Sequence, residues 1–156
     1  MKFAQSRRYY DRAVVIPGRS LTRSKSPGRL FNVDSGPLYA SGGSGSVLYD
    51  CDNNTYIDML CGLGAISLGY GMTGGSSHGV YSLPHHAEVD AAEAVLRQVA
   101  PWATSCRFTK TGSEALHAAV MVARAATGRQ PVWVAKESYH GWLDWTQLRN
   151  KPGTAG

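Results

Sequence analysis

Long apolar runs and metal-ligand patterns are missing from this 156-residue sequence. No apolar run approaches the roughly 18 residues that a membrane span needs, and no signal-peptide core is present. The three cysteines are odd in number and lack Cys-x-x-Cys spacing, which argues against a disulfide framework and a zinc knuckle. The histidines have no metal-binding spacing either. We therefore expect a cytoplasmic protein with no metal site and no membrane partner.

Acidic residues are scarce at the amino terminus. The first thirty positions contain eight Lys and Arg residues and one acidic residue, Asp11. Much of the net charge of +5 comes from this segment. Residues 1–12 are predicted to form a polar, basic helical arm. Such an arm can bind nucleic acid. No folded RNA- or DNA-binding motif follows it, so a basic nucleic-acid-binding module is the least favoured function.

A β-hairpin is predicted after a glycine-rich stretch. Residues 47–50 and 55–59 are short alternating runs on either side of an Asp-Asn-Asn turn. The acidic residues of the turn have the spacing of a calcium loop but lack its glycine and its final glutamate, which argues against an EF-hand. Residues 42–46, Gly-Gly-Ser-Gly-Ser, are expected to be flexible.

Helical periodicity follows over residues 88–99, where apolar side chains recur on one face and Pro101 comes after the last of them. Between the hairpin and this helix, the Gly- and Ser-rich residues 69–79 have no periodic content. They are predicted to form a loop.

The strongest local pattern is a strand, a tight turn and a helix. Residues 105–110 alternate in polarity, which predicts a strand, and a small apolar series predicts a helix over residues 113–127. Thr111 and Glu114 have capping-box spacing at the start of this helix, and Gly128 is a natural end.

A second buried strand is predicted at residues 132–135. The β-α-β order predicts a parallel pair, in which ligands bind at the carboxyl ends of the strands. Residues 111–113 and 138–141 would meet there. The free amides and positive dipole of the helix start favour a phosphate, with the hydroxyls of Thr111 and Ser113 as further donors. An ordinary capped helix is the alternative.

Six motifs occur together in this chain. In chain order they are Val15-Ile16-Pro17-Gly18, Tyr49-Asp50-Cys51-Asp52-Asn53-Asn54-Thr55-Tyr56-Ile57-Asp58, Leu68-Gly69-Tyr70, Arg107-Phe108-Thr109-Lys110-Thr111-Gly112-Ser113-Glu114-Ala115, Ala123-Arg124-Ala125-Ala126-Thr127-Gly128-Arg129 and Tyr139-His140-Gly141-Trp142-Leu143-Asp144. Together they resemble class III pyridoxal-phosphate-dependent aminotransferases, and the nearest kin are members like glutamate-1-semialdehyde aminomutase.

The resemblance implies an α/β fold, the amino-terminal part of the aspartate-aminotransferase-type fold. It consists of a small β-hairpin region followed by the start of a large α/β/α domain. We place the arm and hairpin region at residues 1–66 and the beginning of the large cofactor-binding domain, which is incomplete, at residues 67–156.

The resemblance also names pyridoxal 5'-phosphate as the cofactor and assigns residues to it. Thr111, Gly112 and Ser113 match the phosphate-binding turn. Tyr139 matches the aromatic side chain that stacks on the pyridine ring, and His140 follows it in the same motif.

On the substrate side, Arg23 matches an arginine that binds a substrate carboxylate in the aminomutase-like enzymes. Leu63 stands where the mutase carries a tryptophan, which weakens the mutase interpretation against that of a plain or sugar-directed transaminase. Between residues 70 and 81 the family's histidine-proline element and helix are replaced by the glycine-rich loop.

No catalytic residue is assigned. The sequence given ends at Gly156, before the positions of the family's Schiff-base lysine and of the aspartate that pairs with the pyridine nitrogen. None of the five lysines matches the Schiff-base position: Lys2, Lys25, Lys110, Lys136 and Lys151. We expect the chain alone to be inactive.

Three interpretations of function stay open. The chain is a portion of a class III transaminase or aminomutase acting on a small-molecule amino donor and carbonyl substrate. Alternatively, it is a non-catalytic remnant or subunit fragment that binds a partner chain, since the active sites of the resembled family lie at a dimer interface. The third is the nucleic-acid-binding module described above.

The isolated chain is predicted to self-associate or to be poorly soluble, and its expected partner is a second copy in a homodimer or another chain. An uncovered apolar edge at residues 132–135 would invite strand pairing. Static light scattering over a range of protein concentrations should show mass above that of the monomer. A sharp monomer at high concentration would contradict this expectation.

Overall fold

The computed structural model describes residues 2–72 and 79–146. Its helices are α1 (Ala4–Arg12), α2 (His86–Gln98) and α3 (Gly112–Thr127), and its strands are β1 (Ala40–Ser44), β2 (Val47–Asp50) and β3 (Thr55–Ile57). Single 3₁₀ turns lie at Ala13–Val15, Pro17–Arg19, Arg23–Lys25 and Asp144–Thr146. The chain divides into two compact units, Met1–Arg107 and Phe108–Gly156.

The three strands form one antiparallel sheet in the order β1-β2-β3. The predicted hairpin is therefore confirmed, although its second strand ends at Ile57. Of residues 42–46, which were expected to be flexible, the first three belong to β1. Gly43 pairs with Leu48. A Cβ on Gly43 would lie 2.5 Å from the ring of Tyr70. Glycine thus allows that ring to pack directly against the strand.

The core of the first unit contains a cluster of buried residues from the sheet and from the segment that precedes α2: Ala40, Leu48, Tyr70, Tyr81 and Leu83. Helix α2 confirms the periodicity of residues 88–99, beginning two residues earlier, and buries Val89 and Ala92. Helix α1 confirms the predicted arm. Arg12 at its end binds Asp90 and Glu93 of α2, with Nη2–oxygen distances of 2.6 Å to each.

Two aspartates in the hairpin turn hold this unit together. Asp50 is completely buried. Its carboxylate accepts hydrogen bonds from the amides of Asp52 and Asn54 and from the Tyr56 hydroxyl at 2.8–2.9 Å. Asp52 accepts from the amides at the second and third positions of α1, those of Gln5 at 2.6 Å and Ser6 at 2.8 Å. These are the amides that a local N-cap side chain normally serves.

In the second unit, α3 begins and ends as the sequence predicts. The Thr111 side chain accepts from the amide of Glu114, and the Glu114 carboxylate accepts from the amide of Thr111, so both halves of the capping box are present. Gly128 follows the last turn in the left-handed region, with φ of 69°.

The predicted parallel strand pair is wrong, because neither residues 105–110 nor residues 132–135 form a strand. A strand exists only through a hydrogen-bonded neighbour. Within the first of these segments, the amide of Cys106 donates to the carbonyl of Val15 at 2.9 Å. Within the second, Trp133 is 98% exposed. Among residues 108–146, none buries this segment as a parallel strand must be buried.

The mixed helix and small-sheet architecture is nevertheless consistent with the amino-terminal part of the resembled fold. The division at residues 66 and 67 stays a prediction. Of the loop predicted over residues 69–79, residues 73–78 lie outside the described residues. No helix within residues 2–72 and 79–146 combines the length and hydropathy of a membrane span. The same residues contain no group of three or more side chains arranged to hold a metal ion.

Replacing Asp52 with alanine should destabilise the first unit. The change leaves two amides of α1 without their acceptor, and loss of an N-cap costs about 1 kcal/mol of the free energy of unfolding. Urea denaturation followed by circular dichroism measures the loss. Asp11→Ala is the matched control, because Asp11 is exposed and lies 4.0 Å from Arg7. Equal effects of the two changes would contradict the capping role of Asp52.

Candidate functional site

The candidate site is the turn that begins α3. Thr111 precedes the first helical residue, Gly112, and its hydroxyl oxygen lies 3.2 Å from the amide of Glu114. The Glu114 carboxylate accepts from the amides of Lys110 at 2.8 Å and Thr111 at 3.2 Å. This network fixes the backbone of the turn, so that the remaining amides of the first helical turn point along the helix axis.

The amides of Gly112 and Ser113 have no acceptor among the residues that the structure describes. They are the first two amides of a sixteen-residue helix, where the backbone dipoles place a partial positive charge. The Thr111 and Ser113 hydroxyls each accept one hydrogen bond and keep a proton to donate. The turn thus presents donors in the arrangement that suits an anion.

The Tyr-His-Gly segment lies against the same turn, as the sequence suggested, although no strand pair brings it there. The amide of Trp142 donates to Ser113 Oγ at 3.2 Å. Gly141 has φ of 88°, and a Cβ on it would lie 2.8 Å from Ser113 Oγ. Only glycine therefore fits both the conformation and the contact. Tyr139 is 79% exposed. Its ring face is accessible.

His140 is partly buried beside these residues. Its Nε2 atom is buried and has no hydrogen-bond partner within the described part of the chain. Buried polar atoms in native proteins are normally paired. An unpaired ring nitrogen in the segment that contacts Ser113 is consistent with a ligand-binding role.

Two further contacts hold the segment in place, and the sequence pattern did not indicate them. Trp145 Nε1 donates to His117 Nδ1 at 3.1 Å, which joins the segment to the second turn of α3. Thr146 donates to the carbonyl of Gly141 at 2.9 Å. Neither pair has a spacing that marks it in advance. Gly141, directly after Tyr139 and His140, was the one feature of the sequence that could have indicated the close packing of this segment.

Arg23 and Leu63 belong to the first unit. Arg23 begins an exposed 3₁₀ turn whose last residue, Lys25, donates from Nζ to the Tyr81 carbonyl at 2.5 Å. Burial lowers the pKa of Lys25 below its usual value. Leu63 is exposed in a run of four left-handed residues, 61–64, with φ of 64° at Leu63 itself. Such a run is strained for the residues that are not glycine.

Comparison with known proteins identifies the family. The model of the family described as "Aminotransferase class-III" matches residues 31–147, which is well over half of the chain. The chain belongs to the class III aminotransferase family. The resemblance inferred from the six motifs is therefore confirmed.

Several curated relatives of this class III chain are named glutamate-1-semialdehyde 2,1-aminomutase. The protein from Methanothermobacter thermautotrophicus is 38% identical over 90% of this chain and 34% of its own length. Those from Natronomonas pharaonis and Halorubrum lacusprofundi are 36% and 34% identical, over 90% and 99% of this chain and 32% and 36% of their own lengths. The chain thus spans about a third of the length of these relatives. No solved structure matches it significantly.

Within the region matched to class III aminotransferases, Arg107 organises the loop that leads to Arg23. Its guanidinium donates to the carbonyls of Pro17 at 2.8 Å, Ser20 at 3.2 Å and Leu21 at 3.3 Å. The planar, multi-donor shape of arginine suits three carbonyls at once, which an ammonium group cannot reproduce. No spacing in the sequence indicates this contact, because about ninety positions separate the partners.

Replacing Arg107 with methionine should therefore loosen the Arg23 loop. A hydrogen bond from a charged donor contributes at most about 1.5–3 kcal/mol, and less where the donor is exposed as Arg107 is, but the guanidinium makes three of them. We expect tryptic cleavage after Arg23 to accelerate by about tenfold or more, because each tenfold requires only about 1.4 kcal/mol. Timed proteolysis with mass spectrometry measures the rate at that bond.

Two variants control this experiment. Arg107→Lys keeps the charge and should give an intermediate rate. Arg97→Met removes an exposed arginine in the last turn of α2 and should leave the rate unchanged. If the Arg97 and Arg107 variants were cleaved after Arg23 at the same rate, Arg107 would not hold the loop.

Proposed function

We propose that this chain supplies the phosphate-binding turn of a pyridoxal-phosphate-dependent transaminase or aminomutase of class III. The observation that carries the proposal is the start of α3. There the amides of Gly112 and Ser113 point outward from a fixed turn, and the Tyr-His-Gly segment lies against Ser113. Family membership and the names of the relatives agree with this function.

The residues present fit the proposed cofactor. Its phosphate is a dianion at neutral pH, and it would meet two backbone amides, two hydroxyls and the positive end of a helix. The exposed ring of Tyr139 offers a stacking surface for a pyridine ring, which contributes about 0.5–1.5 kcal/mol beyond area burial. The unpaired Nε2 of His140 would gain a partner from the ring substituents.

When bound, pyridoxal phosphate supplies an electron sink for the carbon that carries the amino group. The residues of this chain would bind and orient. Thr111, Gly112 and Ser113 would hold the phosphate. They would thereby fix how far the pyridine ring of the cofactor enters its site. Arg23 would bind a substrate carboxylate through a paired hydrogen bond, for which its exposed guanidinium is suited.

Proton transfer at the reacting carbon has no candidate lysine among the residues described. Lys25 is engaged with the Tyr81 carbonyl, and Lys136 lies 3.9 Å from Glu137 on an exposed segment. Lys110 immediately precedes the N-cap. We therefore expect this chain by itself not to catalyse amino-group transfer. Both mutase and transaminase chemistry stay open for the complete protein.

Binding to a partner chain is the second candidate function. No residue of α3 is buried within its unit, and Met121 and Val122 on it are exposed, as is Trp133 after it. So many exposed large apolar side chains favour a surface that another protein chain covers. A homodimer or a longer class III chain would provide it. Cytoplasmic location stays a prediction.

Gly112→Pro tests the phosphate turn directly. Proline is tolerated at the first helical position, and Thr111 has the extended φ of −136° and ψ of 158° that a residue before proline needs. The variant thus removes one amide donor and keeps the helix. Its affinity for pyridoxal phosphate, measured by calorimetry, should fall by about tenfold or more, as for loss of a hydrogen bond to a charged group.

Gly112→Ala is the matched control. Nothing lies within 4 Å of a Cβ placed on Gly112, so alanine fits and keeps the amide. Pyridoxal, which lacks the phosphate, should bind the unmodified chain and both Gly112 variants with the same affinity. Equal affinity of the alanine and proline variants for pyridoxal phosphate would contradict the proposed phosphate site.

A further inference from the structure

Arg19 has a backbone conformation that is unfavourable for any residue with a side chain. Its φ is 55°, in the left-handed region, and Gly18 before it has φ of 76°. A Cβ atom in this region lies too close to a carbonyl oxygen, so glycine is the residue that normally occupies it. Strained residues persist where the surrounding structure fixes them, and they are concentrated at ligand-binding and active sites. Arg19 is thus expected to contribute something that glycine lacks, which is its side chain.

The backbone of Arg19 is held from both sides. Its amide donates to the carbonyl of Ile16 at 2.7 Å, and its carbonyl accepts from the hydroxyl of Tyr39 at 3.0 Å. Tyr39 is completely buried, so its hydroxyl has a fixed position. The guanidinium of Arg107 binds the carbonyl two positions before Arg19 and the carbonyl of the residue directly after it. These contacts offset the cost of the left-handed conformation and fix the direction in which the side chain leaves the backbone.

The guanidinium of Arg19 is fixed as well, by Tyr10 of α1. Its Nε atom donates to the Tyr10 carbonyl at 3.1 Å, and its Cζ atom lies 4.3 Å from the centroid of the Tyr10 ring. A planar guanidinium stacks on an aromatic ring, and the hydrogen bond adds a second point of attachment. A group that is already held in place loses less side-chain entropy when a ligand binds to it. Arg19 is therefore better prepared for binding than a flexible surface arginine.

The two terminal nitrogens of Arg19, Nη1 and Nη2, have no acceptor among the residues that the structure describes, and the guanidinium forms no ion pair there. A second arginine, Arg7, contacts the same Tyr10 ring, with Cζ 5.5 Å from its centroid. That arginine does have acidic partners. Asp34 lies 3.1 Å from its Nη1 atom, and Asp11 lies 4.0 Å from its Nε atom. The half-buried charge of Arg19 thus lacks a counter-ion within the described part of the chain.

We propose that Arg19 is the centre of a second oxyanion-binding site, which takes a carboxylate or phosphate group through its Nη1 and Nη2 donors. The planar fork of a guanidinium matches two oxygens of either group. Because the side chain is half-buried, water screens its charge less than that of an exposed arginine. Glycine at this position would relieve the backbone strain but would remove the fork. The site lies in the first unit and does not depend on the proposed cofactor function.

Titration of the full chain with inorganic phosphate and, separately, with acetate tests this site. The Nε–Hε signal of Arg19 in ¹H–¹⁵N spectra reports binding there and not at the start of α3. Ionic strength is held constant and low with sodium chloride, because salt screens such charges. We expect the Arg19 signal to move saturably with at least one of the two oxyanions. The oxyanion that binds more tightly identifies the ligand group as phosphate or carboxylate.

Arg19→Gly separates binding from folding. Glycine adopts a φ of 55° without strain, so the turn should keep its conformation while the fork is lost. With the backbone amide signals of Tyr10 and Ser20 as the readout, oxyanion affinity should fall by about fivefold or more, as for loss of hydrogen bonds to a charged group. Arg19→Lys keeps the charge without the fork and should give an intermediate affinity. Arg29→Gly is the matched control, since it removes an exposed arginine from another turn and should leave the affinity unchanged.

Three results would overturn the proposal. The first is an Arg19 signal that responds saturably to neither oxyanion, which decides the question in the unmodified chain even if a variant fails to fold. The second is an Arg19→Gly variant that binds as tightly as the unmodified chain. The third is loss of the Arg19 response in Gly112→Pro, which alters only the phosphate turn of α3 and should leave the Arg19 response intact. Failure of the cofactor proposal would leave all three of these measurements unaffected.

Discussion

The first unit depends on the carboxylate of Asp50, which is fully buried in the hairpin turn. A buried charge is costly unless hydrogen bonds compensate it. Here the backbone amides of the turn and the Tyr56 hydroxyl do so. Those bonds dictate the conformation of the turn, and the turn places Asp52. Asp52 then fixes the first turn of α1 across 46 positions of sequence. The path of the basic arm is thus set by two side chains of a hairpin.

The fixed arm determines which surfaces of α1 meet the rest of the unit. Tyr9 lies 6.1 Å from Tyr39 and 5.0 Å from His86, and Arg12 reaches two carboxylates of α2. Some of the basic side chains that suggested nucleic-acid binding therefore form ion pairs within the chain. Arg7 is another example, since it binds Asp34 at 3.1 Å. This engagement weakens the nucleic-acid interpretation of the arm.

Sequence reasoning succeeded where the determinants are local and failed where they are distant. The capping box of Thr111 and Glu114 and the stop at Gly128 each involve residues a few positions apart, and all were predictable. The cap supplied by Asp52 and the contacts of Arg107 join segments far apart in sequence, so no spacing marks them. The parallel strand pair was predicted from alternation alone. Alternation cannot say whether a neighbouring strand is present, and in residues 2–72 and 79–146 none pairs with either segment.

The three helices begin on three different acceptors, and each choice has a consequence. Helix α1 starts on a distant carboxylate, which uses its second and third amides and ties it to the hairpin. Helix α2 starts on the imidazole of His85, which takes the amide of Ala87 and lies in a residue that also bridges to Ala40 of β1. Helix α3 starts on the Thr111 hydroxyl, which takes the amide of Glu114 and leaves those of Gly112 and Ser113 without an acceptor in the described chain. The Glu114 carboxylate of the same capping box accepts from the amides of Lys110 and Thr111, which precede the helix, so the first two helical amides stay available to a ligand. Of the three helix starts, that of α3 therefore suits an anion best.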